Sequence, residues 1–199
     1  LSSSSAASDV YKRQSETQQI IAKMLNQKSN SIDVLVRRIG GGFGGKETNF
    51  MTSAICALLS HKTKKPIKLR LDRDDDIIIT GKRHDFYSDY EVGFDDDGRI
   101  NGLKLELASR CGMSPDLSLA INERALLHID NAYYLSDVEI KNYLCKTNTA
   151  SSTAFRGFGG NQGMMAIENV ISKQIFQTAL WSSKSSGSPF FACIRSLSM

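Results

Sequence analysis

The stretch Gly40-Gly41-Gly42-Phe43-Gly44-Gly45-Lys46-Glu47 separates a β-branched run from an apolar periodic segment. Glycines let backbone N–H groups approach an anion closely, and a following helix offers its positive end. Three readings compete. A phosphate-binding loop of the P-loop kind matches at Gly40, Gly45 and Lys46, but Glu47 stands where a hydroxyl should hold magnesium, and a carboxylate there repels a triphosphate. A dinucleotide loop matches at Gly40, Gly42 and Gly45, with Asp72 as the acidic residue of the next strand, yet the segments that follow form a hairpin and not a parallel strand–helix unit. A ligand-free turn is the plain alternative, and so many glycines make it entropically expensive.

A second loop, Arg156-Gly157-Phe158-Gly159-Gly160, repeats the Gly-Phe-Gly-Gly chemistry behind a guanidinium and also precedes a helical segment. An apolar ring on a polar turn has something to pack on. Either Phe43 and Phe158 plug the core beneath their loops, or two loops of one chemistry serve one large anionic ligand and one flat substrate.

The elements that must position these loops follow from periodicity. Gln18 to Leu25 and Thr48 to Lys62 carry apolar residues at helical spacing; Ile32 to Ile39 and Ile67 to Leu71 are short and β-branched, the mark of strands. Asp85 to Phe94 and Ile100 to Ala108 alternate around Asp95-Asp96-Asp97-Gly98, which predicts a β-hairpin. Leu117 to His128 predicts a helix, Val138 to Cys145 a strand and Asn161 to Ile171 a helix. A hairpin mixed with helices implies an α+β fold with mixed sheets and packed helices.

Composition narrows the class. The 199 residues are 41% hydrophobic and 23% charged, as in a globular protein. A net charge of +4, spread without a stripe, calls for no nucleic-acid partner. No apolar run approaches the roughly 20 residues of a membrane span. Cys56, Cys111, Cys145 and Cys193 form no CxxC pair, so neither a zinc site nor a disulfide framework is expected and a cytoplasmic setting is the default. The ends differ from the middle. Leu1 to Ser8 is small and serine-rich, and Asp9-Val10-Tyr11-Lys12-Arg13-Gln14 matches the translation of a transposon adaptor (GAT GTG TAT AAG AGA CAG), so residues 1–14 are expected to be a non-native or disordered leader. Residues 173–199 diverge, and the serine-rich Ser182 to Met199 has no acidic residue and no clear period, which predicts a disordered tail or the product of a frameshift.

Residues 15–172 resemble the molybdopterin-binding portion of xanthine dehydrogenases, within the molybdenum hydroxylases. The resemblance rests on Arg37-Arg38-Ile39 running into the first glycine loop through Thr48; on Leu71-Asp72-Arg73-Asp74 with Ile79-Thr80-Gly81-Lys82-Arg83-His84; on Asn122-Glu123-Arg124-Ala125-Leu126; and on Cys145-Lys146-Thr147-Asn148 with Thr153-Ala154-Phe155 and the second loop. It implies a partial molybdopterin-binding domain of an enzyme that oxidises hypoxanthine and xanthine to urate. Oxygen from water enters at an electron-poor ring carbon, and electrons leave through 2Fe-2S clusters and FAD, on other domains or subunits, to NAD. A homo-oligomer of the intact enzyme is implied as well.

The resemblance also assigns residues. Phe43 and Gly44 border the molybdenum centre, and Arg156 lines the cofactor. Glu47 and Arg124 bind and orient the purine, and Phe158 is one of two rings that sandwich it. No side chain ligates the metal directly. The chemistry suits those roles: an arginine neutralises charge growing on a purine oxygen, a carboxylate hydrogen-bonds a ring nitrogen, and a phenyl ring holds a flat heterocycle. Plain alternatives remain: a helix-face arginine for Arg124, and for Glu47 a carboxylate in the first helical turn.

The family's base glutamate lies downstream of this sequence, and its cofactor-binding glutamine should fall near Lys12. The intact protein is therefore expected to be active and the 199-residue piece inactive alone. A truncated relic that still docks partner chains, and an aldehyde oxidase-like hydroxylase, are the alternative functions.

Overall fold

The computed structural model describes residues 3–36, 41–46, 50–95, 97–182 and 192–198. The chain divides into two compact units, Leu1–Lys82 and Arg83–Met199.

The first unit is helical. Helix α1 spans Ser3–Met24, well beyond the helix expected from Gln18, and it includes most of the leader that the sequence marks as disordered. No glycine or proline interrupts it, which is what a continuous helix requires. Ile21 and Ala22 are buried among its described side chains, residues 14–24. The Gln14 side-chain amide donates to the Val34 carbonyl at 2.6 Å, and that of Gln18 donates to the Ser29 and Ile32 carbonyls at 2.9 and 2.7 Å. These bonds explain why the strand expected over Ile32–Ile39 is not one in its described part. Backbone acceptors that a neighbouring strand would use are taken by side chains of α1, and the segment is extended but unladdered.

Helix α2, Phe50–Thr63, packs against α1. The strand expected over Ile67–Leu71 is also absent, and Ile67 and Leu69 are exposed; the described residues of this unit hold no strand for it to pair with. The short helix α3, Arg73–Ile79, was not expected from periodicity. Asp72 caps it, its Oδ1 accepting from the Asp75 amide at 2.9 Å, and Asp74, Asp75 and Asp76 lie in the first turn, where a helix favours negative charge. Asp72 is thus a helix cap and not the ribose acid of a dinucleotide fold.

The second unit is α+β. Strands β1, Phe86–Phe94, and β2, Ile100–Gly112, form the expected antiparallel hairpin, closed by Gly98 at φ 80°. Strand β3, Val138–Lys146, joins β2 in parallel. The intervening chain forms helix α4, Ser118–Leu127. Helix α5 runs from Gly160 to Ser182, and strand β4, Ala192–Ser198, pairs antiparallel with β1, so the mixed sheet has the order β3-β2-β1-β4. The tail that composition marks as disordered therefore contributes a helical extension and an edge strand. Alternating residues serve an edge strand even without acidic partners, because ladder bonds are made by the backbone.

The core lies between this sheet and α5. Tyr90, Val92 and Phe94 of β1 and Leu103, Leu105 and Leu107 of β2 alternate inward and meet Ala166, Ile167 and Val170 of α5. Each large side chain buried this way contributes about 1.5–3 kcal/mol, so the hairpin and α5 form the rigid platform of the unit.

Candidate functional site

The first glycine loop belongs to the first unit. Gly41, Phe43 and Gly44 have φ of 99°, 53° and 102°. Gly41 is needed where it is, since a Cβ there would lie 2.5 Å from Phe43 Cε2. The Phe43 ring folds back over Gly41 yet remains 68% exposed, so it does not plug a core. Lys46 Nζ donates to the Gly41 carbonyl at 3.1 Å, closing the loop on itself. Glu47 lies outside the described residues.

The second loop belongs to the other unit. Gly157, Phe158 and Gly159 have φ of 97°, 47° and 91°. A phenylalanine in the left-handed region is a rare conformation for a bulky residue, and both loops place one there. Such strain persists only where surrounding contacts over-determine it, and it clusters at functional sites.

Those contacts are visible for the second loop. The Phe158 amide donates to the Phe155 carbonyl at 2.8 Å, and the Gly160 amide to that of Gly157 at 3.0 Å. A Cβ on Gly159 would collide with the Ile121 carbonyl oxygen, one on Gly163 with that of Ala125, and one on Gly160 would lie 2.8 Å from His128 Cδ2. Three glycines thus let the loop and the start of α5 lie directly on α4. Arg124, exposed on α4, donates from Nε to His128 Nε2 at 3.3 Å. Arg124 and the loop bearing Arg156 and Phe158 therefore meet at one helix–loop junction.

Arg83 and His84, quoted in the motif but given no role by it, lock this junction from below. Arg83 Nη2 donates to the Arg156 carbonyl at 2.7 Å, and its guanidinium carbon sits 5.8 Å from the centre of the Phe155 ring. The buried His84 meets Ser118 Oγ at 2.7 Å at the start of α4, while its carbonyl accepts from Gln162 Nε2 of α5 at 3.0 Å. Burial holds the His84 imidazole below its ordinary pKa of 6.5, opposed by the charges of Asp116 and Asp85 and by a hydrogen bond to the Thr153 backbone.

The chemistry of the two loops fits an anionic organic cofactor. Neither loop has a carboxylate side chain among its described residues, and the second carries the Arg156 guanidinium, a partner for an anionic group. Two described cavities of the second unit lie elsewhere; one of about 680 Å³ is lined by Arg99, Tyr133, Tyr134 and Leu135 and contains none of the expected site residues.

Comparison with known proteins narrows the ligand. Residues 10–174 match the family model described as molybdopterin cofactor-binding domain. Xanthine dehydrogenase/oxidase of Gallus gallus is 49% identical over 154 residues, covering 77% of this chain and 11% of that protein. Xanthine dehydrogenase of Calliphora vicina is 42% identical over 158 residues, covering 79% of this chain and 12% of that protein. Quinoline 2-oxidoreductase from Pseudomonas putida 86 shares the fold, with a TM-score of 0.71 at 23% identity over 84% of this chain and 22% of its own.

Proposed function

Because the chain belongs to the molybdopterin cofactor-binding domain family, we propose that the polypeptide carrying it is a molybdenum hydroxylase that oxidises hypoxanthine and xanthine to urate. The chain spans 11% and 12% of the two curated relatives described above; in this reading the 2Fe-2S clusters and FAD that take the electrons to NAD lie on other domains or subunits. The intact enzyme works as a homo-oligomer in the cytoplasm.

The cofactor, when bound, supplies the redox chemistry at the ring carbon. The residues of this chain bind and orient. Phe43, Gly44 and Arg156 border the cofactor, the Arg156 guanidinium being suited to its anionic groups. Phe158 holds the flat purine, Arg124 neutralises charge that grows on a purine oxygen, and Glu47 hydrogen-bonds a ring nitrogen.

One observation carries the reading: an exposed guanidinium, Arg124, on a helix packed directly against a strained Gly-Phe-Gly loop. A purine presents a polar edge and a flat face, and this junction offers a partner for each. An apolar residue at the same place would instead suit aldehydes.

The test is the ratio of kcat/KM for xanthine to that for an aromatic aldehyde in the intact protein, in wild type, Arg124→Met and Glu47→Val. Leaving a buried polar group unpaired costs about 1–3 kcal/mol, so each variant should move the ratio towards the aldehyde by about tenfold or more. A ratio unmoved by both variants would transfer the assignment to an aldehyde oxidase-like enzyme.

A further inference from the structure

We propose that Arg83 is a positioning residue that fixes the peptide plane between Arg156 and Gly157, and through it the conformation of the loop bearing Phe158. The proposal deepens the purine reading, since it assumes that this loop borders the substrate.

The loop alone is a poor holder of its own shape. Of three successive residues at positive φ, Phe158 is strained, while Gly157 and Gly159 adopt that region freely and so do not by themselves fix the loop. Gly159 is opposed by α4, whose Ile121 carbonyl it abuts. Gly157 abuts no backbone of α4; the nearest atoms that a Cβ there would meet belong to the Asn161 side chain at the start of α5, which can move. What holds the peptide ahead of Gly157 is its carbonyl, that of Arg156. It accepts from Arg83 Nη2 at 2.7 Å and, at a longer 3.4 Å, from Asn161 Nδ2.

A trans peptide is planar, and its C=O and N–H point in opposite directions. Holding the Arg156 carbonyl towards Arg83 therefore holds the Gly157 N–H away from it. A flip of that plane would reverse the amide and change φ at Gly157, the residue that leads into Phe158. The guanidinium is suited to the task. It is charged, so its hydrogen bond is stronger than one between neutral groups, and its flat face rests 5.8 Å from the Phe155 ring centre, which fixes the direction of its fork.

Its own base is rigid. The next residue, His84, is 2% exposed and is tied to α4 through Ser118 and to α5 through Gln162. Arg83 itself is exposed, so its task is separable from the burial that stabilises the core.

The experiment uses the intact, cofactor-loaded protein as wild type, Arg83→Met and Arg83→Lys. Amide hydrogen exchange across residues 153–163, the thermal midpoint, and kcat and KM for xanthine are measured. Losing a hydrogen bond from a charged donor should speed exchange at Gly157–Gly159 by about tenfold or more in Arg83→Met. Exchange in β1 and β2 and the thermal midpoint should stay as in wild type, while kcat/KM falls by a similar factor. Arg83→Lys, which keeps a charged donor, should recover most of the protection. Unchanged exchange at Gly157–Gly159 in Arg83→Met would overturn the proposal, as would acceleration spread evenly over the hairpin. A wild type without purine turnover would refute the purine reading alone, and the exchange pattern would still decide the role of Arg83.

Discussion

Arg124 Nε donates to His128 Nε2 at 3.3 Å, and the same His128 ring stands against the α-carbon of Gly160. The guanidinium assigned to the purine is thus braced by a ring that the glycine loop itself touches. His128→Phe keeps a ring against Gly160 but removes the acceptor. Steady-state kinetics of the intact protein should then show kcat/KM for xanthine lowered by about fivefold to tenfold, the equivalent of one hydrogen bond. Wild-type kinetics in that variant would mean that Arg124 needs no brace.

Gly159 and Gly98 both have positive φ, 91° and 80°, but only Gly159 faces a neighbour that a Cβ would strike. Gly98→Ala should therefore cost about 1 kcal/mol, from backbone strain alone. Gly159→Ala adds overpacking against the Ile121 carbonyl, and the total should reach about 2–4 kcal/mol. Denaturant melts of the two variants give the difference. Equal losses would show that α4 yields to the loop and does not set its position.

His84 makes stability depend on acidity. Its folded-state pKa is lowered, chiefly by burial, below the ordinary 6.5, so the unfolded chain binds the proton more readily. Stability from this residue is complete above pH 6.5, declines as pH falls through that value, and levels off once the pH is below the lowered native pKa. His84→Gln should flatten this acid-side slope in chemical denaturation measured across that range. An undiminished slope would assign the acid sensitivity to carboxylates instead.

The hairpin was legible because period-two alternation is unambiguous over Phe86–Phe94, and because Gly98 marks the turn. Family motifs named Phe43, Gly44, Arg124, Arg156 and Phe158, whereas their spacing alone left anion, dinucleotide and empty-turn readings open. Ile32 and Val34 were misleading. Their β-branched character signals a strand, but the decisive partners are the amides of Gln14 and Gln18, some 14 to 20 positions away in sequence. No element was expected over Ile77, Ile78 and Ile79, where the Asp72 cap and three aspartates outweigh a β-branched run and give a helix. Asp72 and Asp75, three apart, were the available signal. Arg83 and His84 carried no periodic mark at all, because their partners, Arg156, Ser118 and Gln162, are brought to them only by tertiary packing.

Parallel strands cannot be joined by a tight turn; they need a crossover. Between β2 and β3 that crossover contains α4, which bears Arg124. The hairpin of β1 and β2 pairs neighbours in sequence and forms early, whereas the β2–β3 pairing must wait for a longer excursion to close. The guanidinium is thus set in place by the same late event that completes this side of the sheet. With the proposed purine role of Arg124, a nascent chain that has formed its hairpin but not yet docked β3 would have a scaffold and no binding edge, and substrate recognition would then report finished folding.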